Sequence, residues 1–342
     1  MRSNTGGSPN NLTNNVLLRP VELYSSLGPT LNELTFGLFG YSFKPERDIE
    51  DLSGKVVLVT GGNTGLGKET ILQLARHNPA RIYLSARNAT KAQEAIDSIK
   101  ERFPSVDLRY LPLDLSSFQS IHAAAEQFTA ECDRLDILIL NAGIMNTPPG
   151  LTEEGFEIQF GTNHIGHFLF TKLLLPTLQK TVALSTTKDV RVVTLSSVAS
   201  VAAPNFETMT STSALLANHT ATRYSASKAA NILFASELAR RHPEILSVAV
   251  HPGSVVSDLW KHTPNINAVS QYTTPLIMQF SRSIRTGALN QLWAAGVNRA
   301  LLVSGAYYVP IGIRGTNNPH ANDTEMQRRM WEWTEQQIAE KS

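Results

Sequence analysis

Lys55-Val56-Val57-Leu58-Val59-Thr60-Gly61-Gly62-Asn63-Thr64-Gly65-Leu66-Gly67 is the stretch that decides the fold. After Lys55 come five residues rich in β-branched side chains, without polar alternation. That is the pattern of a strand buried on both faces. Glycines follow, and then Leu66, Thr70, Leu74 and Ala75 at helical spacing on the way to His77. A glycine turn between strand and helix lets the backbone approach a ligand without a Cβ. The free N–H groups and positive dipole end of the next helix suit a pyrophosphate. Glycines also serve ordinary turns, so the weight rests on the strand–turn–helix context. The spacing is T-G-x-x-x-G-x-G rather than G-x-G-x-x-G.

Outward from this unit the same alternation continues. Strands are expected at 81–85, 107–113, 135–140, 190–196 and 246–251, with a short seventh at 306–309. Helices are expected at 89–103, 117–131, 156–175, 224–241, 285–295 and 323–338. Strands separated by helices pair in parallel through right-handed crossovers, which gives a single doubly wound α/β sheet of Rossmann type with helices on both faces. No linker divides the alternation, so residues 46–342 read as one domain. Residues 1–45 read as an N-terminal extension, partly disordered or docked on the surface. Its apolar part, Leu23 to Phe43, is interrupted by Pro29, Asn32 and Glu33, which is too broken for a membrane span but compatible with peripheral association.

Composition narrows the function. Of 342 residues, 42% are hydrophobic, enough for a core and too many for a disordered chain. Lys plus Arg total 30 against 29 Asp plus Glu, so nothing favours nucleic acid as a partner. The single cysteine, Cys132, excludes an internal disulfide, and no Cys/His cluster points to a metal. No signal peptide is visible, and a cytoplasmic location is expected.

The end of the second strand reads Ser85-Ala86-Arg87-Asn88, without the acidic residue that would bind the ribose 2′-OH of NAD. Arg87 can fork onto a 2′-phosphate, which favours NADP(H), although an exposed strand-end arginine needs no such role. Asp114 can accept from adenine or cap the following helix. Asn141-Ala142-Gly143 ends the fourth strand, where small residues would let a cofactor cross the sheet edge.

Tyr224-Ser225-Ala226-Ser227-Lys228 opens the expected 224–241 helix. Four residues apart, phenol and ammonium share one face. A nearby ammonium lowers a tyrosine pKa from about 10, so Tyr224 can act as general acid or base. Ser197, after the apolar run ending at Leu195, can polarise a substrate oxygen. Asn163 lies inside a helix, where asparagine is mildly unfavourable, which suggests a polar task. His164 and His167 read as packed helix residues, and His251 as structural.

Taken in order, Thr60–Gly67, Asp114-Leu115, Asn141-Ala142-Gly143, Asn163, Ser197, Tyr224/Lys228 and Pro252-Gly253 make the chain resemble the short-chain dehydrogenase/reductase family, within it the retinol-dehydrogenase-like group. The resemblance implies a tetrad in which Tyr224 exchanges the proton, Ser197 orients the carbonyl, Lys228 lowers the tyrosine pKa and Asn163 holds a relay water. It implies cofactor contacts from Gly61, Asn63, Gly65, Leu66, Gly67, Asn141, Gly143, Lys172, Val255 and Ser257, besides Tyr224 and Lys228. Ser257 stands where the family usually has threonine. The expected substrate is a small, apolar carbonyl or alcohol, walled by residues 144–151, 198–222 and 254–279. Reduction of a C=C bond, an epimerase or dehydratase, and a non-catalytic dinucleotide-binding protein are the alternatives. The chain is expected to be a homodimer or a monomer, with residues 156–175 and 224–241 as a dimer face or covered by the N-terminal segment.

Overall fold

The computed structural model describes residues 42–253, 255, 283–316 and 318–341. Most of the N-terminal extension, Ser257 and nearly all of the 254–279 wall lie outside them. Eight strands form one sheet in the order β3-β2-β1-β4-β5-β6-β7-β8. They are β1 (Val56–Thr60), β2 (Arg81–Ala86), β3 (Leu108–Pro112), β4 (Ile137–Leu140), β5 (Arg191–Leu195), β6 (Leu246–Val250), β7 (Tyr307–Val309) and β8 (Ile313–Arg314). All neighbours pair in parallel except β7 with β8, a two-residue antiparallel strand that the sequence reading did not anticipate.

The helices are α1 (Pro45–Asp48), α2 (Gly65–Leu74), α3 (Ala89–Lys100), α4 (Phe118–Glu131), α5 (Ile158–Phe160), α6 (Gly166–Leu184), α7 (Phe206–Met209), α8 (Thr212–Ala217), α9 (Thr220–Arg241), α10 (Ile284–Gly287), α11 (Leu289–Gly296) and α12 (Thr324–Lys341). The expected 156–175 helix is in fact α5, a π-helical turn at Gly161–Ile165, and α6. It runs on to Leu184, through Pro176 rather than stopping before it. Tertiary burial of Thr177, Leu178, Thr181 and Val182 keeps the helix going past a residue that removes one backbone bond.

Successive strand residues point to opposite faces and build two apolar layers. Leu58, Leu138 and Val192 pack against α4, α6 and α9 through Phe128, Phe170 and Leu233. Val57, Val59, Ile139 and Val193 pack against α2, α3 and α11 through Ile71, Ile99 and Leu292. The C-terminal helix α12 lies over α6 and α9. Its Trp331 meets Phe168 edge-on at 4.6 Å and stacks on Phe234 at 5.8 Å. At the other end of the sheet, Arg191 is buried, its Nε and Nη2 donating to Asp189 and its Nη1 to the Ala294 carbonyl, while Lys55 donates to the same Asp189. These bonds tie β1, β5 and α11 together. The chain reverses direction across the sheet between β1 and β4, so the crevice lies at the carboxyl ends of those strands.

Candidate active site

On the β1 side, Gly61 and Gly65 hold φ of +66° and +52°, the left-handed region that side chains other than glycine rarely adopt. Gly67 lets the first turn of α2 lie against the loop: a Cβ there would stand 2.2 Å from the Gly61 carbonyl oxygen. Asn141 Nδ2 donates to the Thr60 carbonyl at 2.8 Å, and Gln291 Nε2 donates to Asn141 Oδ1 at 3.3 Å. The resemblance gives Asn141 to the cofactor; its side chain also staples the glycine loop. At Gly65 a Cβ would meet nothing within 4 Å, leaving an open concavity before the α2 N-terminus. Open space beside a helix N-terminus, with backbone amides of a glycine turn, fits the pyrophosphate of a dinucleotide. Leu66 and Val255 border this region, both near Gly287.

Arg87 follows β2 and is 73% exposed, with Nη1 3.9 Å from Asp114 Oδ2. Asp114 accepts from the Ser116 N–H and hydroxyl, while Ser117 caps α4. Lys172 is brought elsewhere. It projects from the side of α6 toward α12 and donates to Glu335 at 2.9 Å. The resemblance gave Lys172 to the cofactor; the structure places its ammonium on Glu335 of α12.

On the β4–β6 side, Ser197, Tyr224, Lys228 and Asn163 converge near Gly143. Tyr224 is not the first residue of its helix. The α9 helix begins at Thr220, with His219 Nδ1 accepting the Ala221 N–H. That places Tyr224 and Lys228 on regular helix, where their spacing holds. Ser197 lies near enough to the Tyr224 phenol to lower its pKa and caps the 3-10 turn Val198–Ala202. Lys228 Nζ donates to the Leu195 carbonyl at 3.1 Å and lies 5.7 Å from the Tyr224 ring centre. A Cβ on Gly143 would lie 3.3 Å from Asn163 Oδ1 and 3.4 Å from Lys228 Nζ, so glycine admits both groups.

Burial decides the titration here. It pushes the Tyr224 phenol up to about 12, against the lowering effect of Ser197. It pulls the Lys228 ammonium down to about 8. The lowering expected from the neighbouring lysine does not appear: desolvation of the phenolate is the largest influence on the phenol, and Ser197 is the group that opposes it.

Asn163 sits in the π turn, where the Gly166 N–H reaches the Gly161 carbonyl five residues back. Such bulges are frequent at functional sites. Its side chain accepts from the Ile144 N–H at 2.8 Å and donates to the Ile144 carbonyl at 2.9 Å and to Ser227 Oγ at 3.0 Å. His167 Nδ1 lies 3.0 Å from the Asn163 carbonyl, and Nε2 lies 2.9 Å from Thr60 Oγ1. A carbonyl only accepts, so Nδ1 carries the proton and Nε2 accepts from threonine. The two sides of the crevice are thus joined by a neutral imidazole, whose pKa burial lowers to about 3. Both ring nitrogens of His251 are buried without a hydrogen-bond partner among the described residues.

Sequence reasoning missed two buried groups, Arg223 and Glu157, which pair at 2.8 Å. The one available signal was the position of each: a charge inside Phe156-Glu157-Ile158-Gln159-Phe160, and a charge directly before Tyr224.

Comparison with known proteins identifies the family. A short chain dehydrogenase family model matches residues 55–267. A short-chain dehydrogenase/reductase of Armillaria gallica is 40% identical over 294 residues, covering 85% of this chain and 92% of that protein. Human retinol dehydrogenase 13 is 36% identical over 290 residues, 82% of this chain and 83% of its own. The crystal structure of an uncharacterised protein of Mycobacterium paratuberculosis superposes with a TM-score of 0.63 at 29% identity, covering 86% and 97% of the two chains. The chain belongs to the short-chain dehydrogenase/reductase family and resembles its retinol-dehydrogenase-like group.

Proposed function

We propose that the protein is an NADP(H)-dependent oxidoreductase that interconverts a carbonyl and an alcohol on a small apolar substrate, with Tyr224 as general acid and base. The observation that carries this reading is the meeting of Asn163 and Lys228 at Gly143, with Lys228 beside the Tyr224 ring and Ser197 acting on its phenol. A bound nicotinamide supplies the hydride in such chemistry. The side chains supply proton and polarisation. A phenol held near 12 keeps its proton at neutral pH, as an acid for carbonyl reduction must. Ser197 donates to the same substrate oxygen and favours charge developing there. Lys228, with its pKa near 8, is mostly an ammonium at pH 7 and favours the phenolate once the proton has left. Asn163 holds Ile144 and Ser227 in place, and the resemblance gives it the relay water as well.

Arg87 supports NADP(H): it is exposed and only loosely paired, free to meet a 2′-phosphate, and no acid occupies its position. The loops after Gly143 and Ser197 expose Leu151, Val198 and Val201, which supports an apolar substrate. So does a relative named a retinol dehydrogenase.

The test is NADPH consumption against a panel of aldehydes and ketones, with product masses to separate carbonyl from alkene reduction. Tyr224→Phe should lower kcat about 10²- to 10⁴-fold while the protein still binds NADPH. NADPH binding without turnover on any carbonyl would sink the enzymatic reading.

A further inference from the structure

We propose that the buried Arg223–Glu157 pair is a positioning device for Tyr224, bracing the substrate-side loop against both helices that carry catalytic groups. This rests on the role given to Tyr224 above. Arg223 is 2% exposed and Glu157 0%. Two charges withdrawn from water add little net stability compared with apolar residues of the same volume, so their geometry is the more informative feature.

The guanidinium is not aimed at the carboxylate alone. Its Nη1 donates to Glu157 Oε1 at 2.8 Å and to the Pro148 carbonyl at 3.4 Å, and its Nη2 donates to the Thr147 carbonyl at 2.9 Å. The Nε is buried without a partner among the described residues. A two-point Arg–carboxylate contact would be the stronger ion pair. Here that contact is given up, and the second nitrogen goes to the loop instead. The other carboxylate oxygen, Glu157 Oε2, accepts the Phe160 N–H at 2.8 Å and so caps the helix leading into the Asn163 turn.

One ion pair therefore joins three parts. Arg223 precedes Tyr224 in α9. Glu157 fixes the entry to the Asn163 turn. Thr147 and Pro148 belong to the loop expected to wall the substrate. That loop is held at its start by Asn163 on Ile144, and at its end by the Ile158 N–H on the Gly150 carbonyl at 2.9 Å. Thr220 Oγ1 adds a donor to the Thr147 carbonyl at 3.2 Å. The middle of the loop and the start of α9 thus share their supports, and a loop displaced by a poorly shaped substrate carries the phenol with it. Only a fork serves this arrangement: lysine presents one point charge, which can satisfy Glu157 or the loop carbonyls but not all three acceptors in these directions.

Arg223→Lys and the double replacement Arg223→Met with Glu157→Leu test the proposal in the full-length chain. The double variant removes both charges together, so neither is left buried without its partner. Amide hydrogen exchange across residues 144–150 should accelerate in both variants, with protection in the central strands and NADPH affinity as in the parent. The kcat for NADPH-driven reduction of 4-nitrobenzaldehyde should fall about 10²-fold, the effect of a misplaced reacting group, while the KM for NADPH stays put. Parental loop exchange and parental kcat in both variants would overturn the bracing role. So would a joint loss of strand protection and NADPH binding in both, since the pair would then serve folding alone. A parent protein that reduces no carbonyl counts against the proposed function only, because loop exchange is read without turnover.

Discussion

On the β1–β3 side of the crevice, what faces the ligand region is backbone and one exposed charge. The glycine turn is held from behind by Asn141, and Arg87 stands 73% exposed with a partner 3.9 Å away. On the β4–β6 side the polar groups already bond to each other. Asn163 holds Ile144 and Ser227, Lys228 holds the Leu195 carbonyl, Arg223 holds Glu157, and His167 bridges to Thr60. An exposed side chain acts through what it binds, so its loss should appear in affinity and selectivity. A buried and bonded one acts through shape and protonation, so its loss should appear in rate or stability.

The largest expected break is by acid. His164, His167 and His251 are each buried, and burial lowers each pKa from 6.5 to about 3. The unfolded chain takes up protons below pH 6.5, while the folded protein does not until about pH 3. Stability therefore holds above pH 6.5 and falls as the pH drops. At pH 5.5 the loss is roughly 1.4 kcal/mol per histidine, or about 4 kcal/mol for the three. Urea unfolding at a series of pH values checks this. All three residues lie on the catalytic side, so amide protection should weaken there before it weakens in β1–β3. A flat stability profile over this range would mean the imidazoles are hydrated in the folded protein.

The glycine turn gives a smaller, sharper contrast. Gly67→Ala places a methyl 2.2 Å from the Gly61 carbonyl oxygen and 2.6 Å from Asn141 Nδ2. Overpacking of this kind costs about 1–3 kcal/mol. Because the loop must move to relieve it, NADPH affinity should fall along with thermal stability. Gly65→Ala meets no protein atom within 4 Å, so its cost to the unliganded fold is the φ of +52° alone, about 1–2 kcal/mol, although its methyl would enter the space assigned to the pyrophosphate. Calorimetry with and without NADPH separates the two effects. Equal losses in both variants would show that close approach is not what Gly67 provides.

The same contrast explains what could be read from the sequence. The sheet was legible because Val56–Thr60, Ile137–Leu140 and Arg191–Leu195 are short apolar runs bounded by turn residues, and their order with the helices dictates parallel pairing. The glycine loop and the Tyr224/Lys228 spacing were legible because both are local patterns. What failed was non-local. The Lys172–Glu335 pair joins α6 to a helix 163 positions later, which no local pattern announces. The π turn at Gly161–Ile165 and the passage of Pro176 through α6 depend on packing rather than on propensity. Glu157 and Arg223 are 66 positions apart, and no periodicity brings them together. The titration of Tyr224 follows burial, which spacing does not report.

The smallest effect tests the open side most directly. Arg87→Asp should cut the preference for NADPH over NADH by about 10- to 10²-fold, the size of one hydrogen bond to a charged group at roughly 1.5–3 kcal/mol. The value belongs at the low end, because the guanidinium is mostly solvated and salt screens an exposed charge. The preference of the parent should therefore weaken with ionic strength, and that of the variant should not. Asp114 sharpens the argument. Its carboxylate near Arg87 opposes a 2′-phosphate, and Asp114→Asn should raise the NADPH preference if Arg87 reads that phosphate. Loss of the two internal Ser116 bonds would instead lower affinity for both cofactors alike. The NADPH/NADH ratio, rather than either affinity alone, separates a recognition charge from a turn-forming one. An unchanged ratio in Arg87→Asp would reduce Arg87 to an ordinary exposed strand-end residue and remove the basis for preferring NADP(H).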